Sequence, residues 1–419
     1  MKRDIEAAKR AGIEPVRTAP TGTRRPVSHA GGKVEQLSGA DALKKVVEHS
    51  LKVDAERGVR DHVHGFHSYP ARLHPVTAAR LIEALSPARG SVADPFCGSG
   101  TVLVEARRLG RRATGIDLNP LAVRLARFKT LPLAASERTE LQEAAARVAD
   151  HAEERRLAAA GPSRRYRPEE RNDFDVHVLL ELDGLAQGIK QEPAWPIRRA
   201  LQLALSSIFS KVARQGGPEA PSKRLASGFT IRFFEARVHE LVQALAAYEE
   251  LLPAKPPPVV VREADARELA ALGLEKVDLF VSSPPYPGVL DYAEYHRARL
   301  RWLNLDATKF EQQEMGARRI LSRFDFQRAA SAWEADFTTV LGAMCKALAD
   351  GGKIALVLAD SLLGGRPYFA DQVVKRCGER AGLALVAQGS QQRPHFHRES
   401  AKVFGSRPRY EHLLLLARA

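Results

Sequence analysis

Cysteines and long apolar runs are scarce in this chain. Its 419 residues include only three cysteines, Cys97, Cys345 and Cys377. They are too few and too widely spaced for a disulfide framework or a paired-cysteine metal site, which favours a reducing compartment. The apolar runs at 354–358 and 413–416 are far shorter than the roughly 18 residues of a membrane span. Residues 1–30 lack the apolar core of a signal peptide. We therefore expect a cytoplasmic protein without a membrane segment.

An excess of basic over acidic residues leaves the chain strongly basic. Its 64 Lys and Arg exceed its 50 Asp and Glu, which gives a net charge of +14 and a pI near 9.8. Such a balance favours a polyanionic partner such as a nucleic acid. With 44% hydrophobic and 27% charged residues, the chain can bury a sizeable core. Its length allows two or three domains, or one large domain with an insertion.

Short apolar runs alternate with helical segments, which is the pattern of a doubly wound, mostly parallel α/β sheet. Helices are predicted at about 40–56, 75–86, 101–109 and 120–129. Seven strands are predicted at 91–94, 112–117, 259–262, 277–281, 353–358, 383–386 and 412–416.

Three regions are predicted along the chain. Residues 1–40 form a basic arm to which we assign no structure. Residues 41–130 and 257–419 form one domain around the sheet. Residues 131–256 are too long for a loop and have a helical pattern, so they are predicted to be a helical insertion.

A glycine-rich turn follows the first predicted strand, with the sequence Asp94-Pro-Phe-Cys-Gly-Ser-Gly-Thr101. Its glycines allow a ligand to approach the backbone at a helix N-terminus. It is not a common nucleotide loop, because Leu103 stands where the dinucleotide fingerprint has a third glycine. A carboxylate at this position suits a cationic amino-acid group better than a pyrophosphate. Asp117 then ends the second strand, where an acidic side chain can bind ribose hydroxyls.

This motif resembles that of the S-adenosylmethionine-dependent methyltransferases, and its residues are typical of those that methylate exocyclic amino groups of nucleobases. The resemblance implies a Rossmann-like class I methyltransferase fold with S-adenosylmethionine as cofactor. The segment 66–75 is similar to one that folds over the cofactor in amino-methylating DNA enzymes, and Asp265 matches an acidic position that contacts the adenine amine. The implied cofactor-binding residues are Tyr69, Pro70, Asp94, Pro95, Phe96, Gly98, Ser99, Gly100, Thr101, Asp117 and Asp265.

The tetrad Ser283-Pro284-Pro285-Tyr286 follows the fourth strand and resembles the catalytic tetrad of the same family. An exocyclic amine is a poor nucleophile because its lone pair is delocalised into the ring, so the site must orient it toward the sulfonium methyl. The Ser283 hydroxyl and the Pro284 carbonyl can each accept one amine hydrogen, and two prolines stiffen the loop. Tyr286 is predicted to stack on a flipped base.

Serine in the first tetrad position favours a site-specific DNA methyltransferase acting on N4 of cytosine. An adenine-N6 DNA enzyme and a tRNA or rRNA guanine-N2 enzyme stay open as alternatives, although both more often have Asp there. Cytosine-C5 chemistry is excluded because the chain has no Pro-Cys pair. A catalytically silent nucleic-acid-binding subunit is disfavoured, because the cofactor loop and tetrad are intact. The expected partner is DNA, with RNA as the alternative and a cognate restriction endonuclease as a candidate.

Basic residues interleaved with aromatic ones make the insertion a candidate target-recognition region. Two further basic segments, 297–301 and 393–409, lie near predicted strand ends. The predicted nucleic-acid contacts are Arg198, Arg199, Lys223, Arg224, Arg297 and Arg393. No metal is predicted, because the cluster of histidines at positions 62, 64, 67 and 74 has no acidic or cysteine partner at ligand spacing nearby.

Overall fold

One sheet of eight strands runs through the part of the chain that the computed structural model describes, which is residues 31–131, 133–214, 224–395, 398–405 and 407–419. Its strands are β1 (Val34–Gly39), β2 (Ser91–Asp94), β3 (Arg112–Asp117), β4 (Val259–Glu263), β5 (Val277–Ser282), β6 (Leu348–Ala359), β9 (Leu383–Gln392) and β10 (Tyr410–Arg418). A separate hairpin pairs β7 (Ser361–Leu363) with β8 (Arg366–Tyr368). The spatial order in the sheet is β1-β9-β10-β6-β5-β2-β3-β4.

The predicted α/β fold with a mostly parallel sheet is confirmed. Strands β4, β3, β2, β5 and β6 pair in parallel, whereas β10 is antiparallel to both β6 and β9. This is the strand order of class I methyltransferases with one strand added at the β9 edge. The order reverses direction between β2 and β5, and such switch points are where open α/β sheets bind ligands.

The added strand corrects two predictions. Residues 34–39, predicted as part of an unstructured arm, form β1 and pair antiparallel with β9, so the sheet has eight strands in the described ranges instead of seven. Val34 and Leu37 of β1 pack against a cluster that includes Val47 and Leu51. The short strand lacks a strong apolar period because its stability comes from this edge pairing. Residues 1–30 of the predicted arm lie outside the described residues.

The helices of the first sheet segment are α1 (Asp41–Leu51), α2 (Pro75–Leu85), α3 (Thr101–Arg108) and α4 (Pro120–Thr130). Those between β3 and β4 are α5 (Ala135–Leu157), α6 (Pro168–Asp173), α7 (Val176–Gln191), α8 (Trp195–Val212) and α9 (Phe229–Glu250). The remaining helices are α10 (Tyr292–Trp302), α11 (Thr308–Gln313), α12 (Arg318–Leu321), α13 (Phe326–Ala347), α14 (Ala370–Arg380) and α15 (Arg398–Phe404). Among these described helices, none combines the length and apolar character of a membrane span.

The helices between β3 and β4 pack onto one face of the sheet domain. Their buried side chains form one hydrophobic cluster with Val104 of α3 and with Leu121 and Leu125 of α4. Tyr248 of α9 is fully buried there and donates its hydroxyl hydrogen to the Val104 carbonyl (3.2 Å). The region 131–256 therefore covers the helices that follow the glycine-rich turn.

Candidate active site

The carboxyl ends of three neighbouring parallel strands bring the predicted site residues together. Asp94 ends β2, Asp117 ends β3 and Ser282 ends β5. In the β2–β3 pair Asp94 lies opposite Gly115, and in the β2–β5 pair Ala93 lies opposite Phe280. Because parallel strands end at the same edge of a sheet, the loops after them meet there.

The turn after β2 depends on glycines with positive φ. Gly98 has φ +49° and Gly100 has φ +86°. A Cβ at Gly98 would lie 3.2 Å from the Tyr69 ring, and a Cβ at Gly100 would lie 2.9 Å from the backbone of Ala126 on α4. The glycines thus allow Tyr69 to close over the turn and α4 to pack beneath it.

Asp117 anchors the same turn. Its two carboxylate oxygens accept hydrogen bonds from the backbone N–H groups of Gly98 (2.8 Å) and Asn119 (2.8 Å). Burial raises the pKa of Asp117 to about 6, against which these two hydrogen bonds act. Asp117 is therefore ionised at neutral pH, and its remaining lone pairs can accept hydroxyl hydrogens.

Asp94 joins the first turn to the tetrad loop. It accepts a hydrogen bond from the Ser282 hydroxyl (2.6 Å) and one from the Phe96 backbone N–H (3.0 Å). Burial raises the pKa of Asp94 to about 7, while both hydrogen bonds favour its charged form. Sequence reasoning missed Ser282, because a serine that ends a buried strand carries no pattern of its own.

A cavity opens between the turn after β2, the turn after β3 and the tetrad loop. It is lined by three carboxylates, Asp117, Asp265 and Glu314, and by no Lys, Arg or His among the described residues around it. Arg267 donates to both oxygens of Asp265 (Nη2 to Oδ2, 2.5 Å), and Arg319 pairs with Glu314. Such a cavity favours a cationic ligand with hydroxyl groups over a pyrophosphate.

Four aromatic side chains complete the cavity wall: Tyr69, Phe96, Tyr292 and Phe310. The rings of Tyr69 and Tyr292 are nearly parallel with centroids 6.2 Å apart. Asn119 donates its side-chain N–H to the Tyr69 hydroxyl (3.3 Å), which fixes that ring over the turn. Tyr292 and Phe310 were not predicted, because their helices lie in a long excursion after β5 without a motif.

The predicted cofactor residues divide into two groups. Those that line the cavity are Tyr69, Pro95, Phe96, Gly98, Asp117 and Asp265. The other five do not line it: Pro70, Asp94, Ser99, Gly100 and Thr101. The Ser99 hydroxyl is buried and has no hydrogen-bond partner among the described residues. A polar ligand in the cavity would offer such a partner. The residues present therefore fit S-adenosylmethionine, whose sulfonium and ammonium charges suit the acidic wall.

The tetrad loop borders this cavity through two of its four residues. Ser283 and Pro285 line the cavity, whereas Pro284 and Tyr286 are buried. The predicted stacking role of Tyr286 requires correction, because only 6% of the residue is exposed and it belongs to a buried hydrophobic cluster. A base cannot stack on a face that is already covered by protein.

Comparisons with known proteins agree with this arrangement. Residues 34–128 match the family model described as a DNA methylase. The chain is 24% identical over 276 residues to the type II methyltransferase M.MvaI of Kocuria varians, covering 59% of this chain and 60% of that protein. Over 51 residues it is 41% identical to the type II methyltransferase M.ScaI of Streptomyces caespitosus, which is 12% of this chain and 17% of that protein. The chain thus spans less than two thirds of the length of these relatives.

These matches support the DNA amino-methyltransferase family for this chain. The family's cofactor is S-adenosylmethionine. Among solved structures, the TrmN protein of Thermus thermophilus covers 83% of the chain at 14% identity and a TM-score of 0.32, and 49% of TrmN is covered. The rRNA methyltransferase aviRa of Streptomyces viridochromogenes has the same TM-score at 13% identity, with 89% of this chain and 96% of aviRa covered.

The basic residues predicted to contact nucleic acid occupy different environments in the structure. Arg198 donates to the Glu192 carbonyl (Nε, 2.8 Å), and the Arg199 guanidinium lies over the Trp195 ring (5.1 Å). The Arg224 side chain is 79% exposed, and Arg297 pairs with Glu294 at the surface. Lys223 lies outside the described residues.

Arg393 is not a surface contact. It is 5% exposed and donates from Nε (3.0 Å) and Nη2 (2.6 Å) to the same oxygen of Glu411, which is 3% exposed. A guanidinium paired inside the protein cannot also reach a phosphate. The predicted contact between Arg393 and nucleic acid is therefore wrong, because the charge compensates a buried carboxylate on the neighbouring strand.

The histidine cluster connects the cofactor segment to the insertion. His67 shares a hydrogen bond with the Ser206 hydroxyl of α8 (Nε2 to Oγ, 2.8 Å), and Arg237 of α9 donates to the Phe66 carbonyl. His64 contacts Glu105 (Nε2 to Oε1, 2.8 Å). Glu105 is an acidic partner that ligand spacing in the sequence could not reveal, because it lies 41 residues from His64. Arg108 occupies the second Glu105 oxygen, which leaves that carboxylate satisfied without a metal.

Proposed function

We propose that this protein is a DNA methyltransferase that transfers the methyl group of S-adenosylmethionine to the exocyclic amine of a flipped base, with N4 of cytosine as the favoured target. The observation that supports it is the shared cavity of Gly98 and Asp117 from the cofactor turns with Ser283 from the tetrad loop. A cofactor held by the first two residues would present its methyl group toward the third. Bringing the two reactants together in one orientation supplies much of the catalysis.

Each residue of the site has its own role in the proposed reaction. Asp117 accepts the ribose hydroxyls, while Asp94 lies outside the cavity lining and holds the cofactor turn against the tetrad loop through Ser282. Ser283 Oγ and the Pro284 carbonyl each accept one hydrogen of the target amine and turn its lone pair toward the methyl group. S-adenosylmethionine supplies the electrophilic methyl when bound. The amine would take the methyl group as the carbon–sulfur bond breaks and the neutral thioether leaves. The resulting ammonium would donate hydrogen bonds to the serine and carbonyl oxygens and lose its extra proton to solvent.

Serine in the first tetrad position supports cytosine N4 over adenine N6. A tRNA or rRNA guanine-N2 activity stays the alternative with RNA as substrate. Three further points remain predictions: the cytoplasmic location, a cognate restriction endonuclease, and the division into an arm, a sheet domain and an insertion. The DNA-binding role of the insertion is likewise a proposal, which rests on its exposed cations.

Mass spectrometry of nucleosides tests the reaction directly. DNA and RNA of mixed sequence are incubated with the protein and labelled S-adenosylmethionine, digested, and separated. We expect label in N4-methylcytosine from DNA, strongly reduced but measurable in Ser283→Ala and retained in Ser331→Ala, an exposed serine on α13. Label in N6-methyladenine would shift the target to adenine. Label in RNA alone would contradict the DNA assignment.

A further inference from the structure

Tyr286 has a buried hydroxyl that faces polar groups on two other strands. Its oxygen lies 3.2 Å from Oε1 of Glu411 on β10 and 3.5 Å from the Val357 carbonyl on β6. On its own loop the nearest polar side chain is Ser283, whose Oγ lies 3.4 Å away. The hydroxyl therefore connects the cavity-lining serine to the carboxylate of Glu411.

The ion pair behind Tyr286 decides the direction of the hydrogen bonds. Arg393 donates twice to Oε2 of Glu411, so the carboxylate stays an acceptor at Oε1. Burial raises the pKa of Glu411, and the Arg393 guanidinium opposes that shift by stabilising the charged form. The Tyr286 hydroxyl donates to Glu411, which is nearer than the Val357 carbonyl. Its oxygen is then left with lone pairs and can accept a hydrogen from Ser283.

A serine hydroxyl can act as donor or acceptor, and the proposed reaction requires an acceptor. If the Ser283 hydrogen pointed into the cavity, it would oppose an amine hydrogen of the target base. With that hydrogen directed to Tyr286, the lone pairs of Ser283 face the cavity that the residue lines. Asp in this position would need no such orientation, since a carboxylate is an acceptor only.

We propose that Arg393, Glu411 and Tyr286 form a buried relay that holds the Ser283 hydroxyl as a hydrogen-bond acceptor for the target amine. Tyr286 and Glu411 are positioning residues in this relay, because they act through Ser283 and touch neither cofactor nor base. The inference rests on the proposed function of Ser283. It replaces the stacking role of Tyr286 by a role for its hydroxyl.

A double-mutant cycle tests the relay. Tyr286→Phe keeps the ring in the core and removes the hydroxyl, so we expect kcat to fall about tenfold with KM for cofactor and DNA changed by less than about twofold. The same change should have no further effect in a Ser283→Ala or a Ser283→Asp protein. Glu411→Gln should match the loss in Tyr286→Phe and add nothing to it.

Tyr368→Phe is the matched control. Tyr368 is 5% exposed and its hydroxyl donates to Glu334 at 3.2 Å, so it repeats the burial and contact of Tyr286 away from the cavity. We expect its kcat to equal that of the wild type. An unchanged kcat in Tyr286→Phe would overturn the relay. An equal loss of kcat with Ser, Ala or Asp at position 283 would also overturn it, because such a loss indicates a structural effect.

The outcome of the wild type separates this inference from the proposed function. The cycle can use transfer to any nucleobase amine, in DNA or RNA, as its measure of kcat. If the substrate is RNA and not DNA, the wild type alone reveals it. If the relay does not exist, only the variants reveal it. A wild type that binds cofactor and methylates no base would contradict both proposals. Thermal unfolding of every variant identifies those whose kcat falls because the fold is lost.

Discussion

Ser282 donates a hydrogen bond from its hydroxyl to Oδ1 of Asp94 at 2.6 Å, with both residues buried. The bond joins the end of β5 to the end of β2, so the tetrad loop and the cofactor turn are held at one distance. Its neighbour Ser283 instead lines the cavity. Two adjacent serines thus have different tasks, one inside the scaffold and one at the proposed reaction centre.

Ser282→Ala should shift the pH dependence of cofactor binding. The Ser282 hydrogen bond favours the charged form of Asp94, whose pKa burial raises to about 7. Removing the bond raises that pKa further, so binding that needs the carboxylate should appear at higher pH. Calorimetric titration between pH 6 and 9 should place the midpoint above that of the wild type. Ser283→Ala should keep the wild-type midpoint, and a common midpoint for all three proteins would contradict the role of Ser282.

Asp94→Asn should change how stability depends on pH. Burial raises the pKa of Asp94 to about 7, whereas an aspartate in the unfolded chain has its ordinary pKa of 3.8. Between these values the native state keeps a proton that the unfolded state has lost, so the free energy of unfolding falls as pH rises. The slope is at most ~1.4 kcal/mol per pH unit for one proton.

Urea denaturation at pH 5, 6 and 7 measures that slope. We expect Asp94→Asn to lose less stability across the range than the wild type. Asp350→Asn, whose side chain is 99% exposed, should follow the wild type. Parallel curves for Asp94→Asn and wild type would show that Asp94 does not titrate in this range.

Asp117→Ala should weaken cofactor binding by about one to two orders of magnitude. The change removes a charged acceptor for ribose hydroxyls, a loss of about 1.5–3 kcal/mol. It also releases the backbone N–H groups of Gly98 and Asn119 that the carboxylate holds. Calorimetry at neutral pH is the measurement, with Asp350→Ala as an exposed control. An unchanged dissociation constant would remove Asp117 from the site.

Arg393→Ala should destabilise the fold without changing contacts to DNA. It leaves the buried Glu411 unpaired, which costs about 3–5 kcal/mol of unfolding free energy. Arg297→Ala removes only a surface pair with Glu294 and should cost less than about 1 kcal/mol. If Arg297 contacts a phosphate, the salt slope of DNA affinity should fall by about 0.9 in that variant alone. If the salt slope falls in Arg393→Ala and not in Arg297→Ala, Arg393 contacts DNA after all.

The insertion can contact DNA, support the cofactor segment, or do both. Arg199→Glu with Arg224→Glu reverses two of its predicted contacts and should lower DNA affinity and its salt slope while cofactor affinity stays constant. Ser206→Ala removes the partner of His67 beside the cofactor segment and should weaken cofactor binding with an unchanged salt slope. If the charge reversals leave DNA affinity unchanged, the recognition role of the insertion is excluded.

Local sequence patterns predicted much of the fold and the core of the site. The alternation of apolar runs with helical periods predicted the parallel sheet, since neighbouring parallel strands are each buried on both faces. The string from Asp94 to Thr101 predicted a ligand turn because glycines with positive φ recur there. Strand β1 escaped prediction because an edge strand is stabilised by its partner and not by its own period.

The tertiary structure alone decided what each polar side chain does. Sequence could not separate Ser282 from Ser283, or the buried Arg393 from the exposed Arg224, because charge and residue type do not reveal burial. The partners Glu411 and Glu105 lie 125 residues from Tyr286 and 41 residues from His64. Such pairs form only when distant strands and helices are folded together, and at that distance in sequence no spacing rule connects them. The sequence by itself determined the sheet, the glycine turn and the tetrad, because each depends on neighbouring residues; the direction of the hydrogen bonds around Ser283 depends on the whole fold.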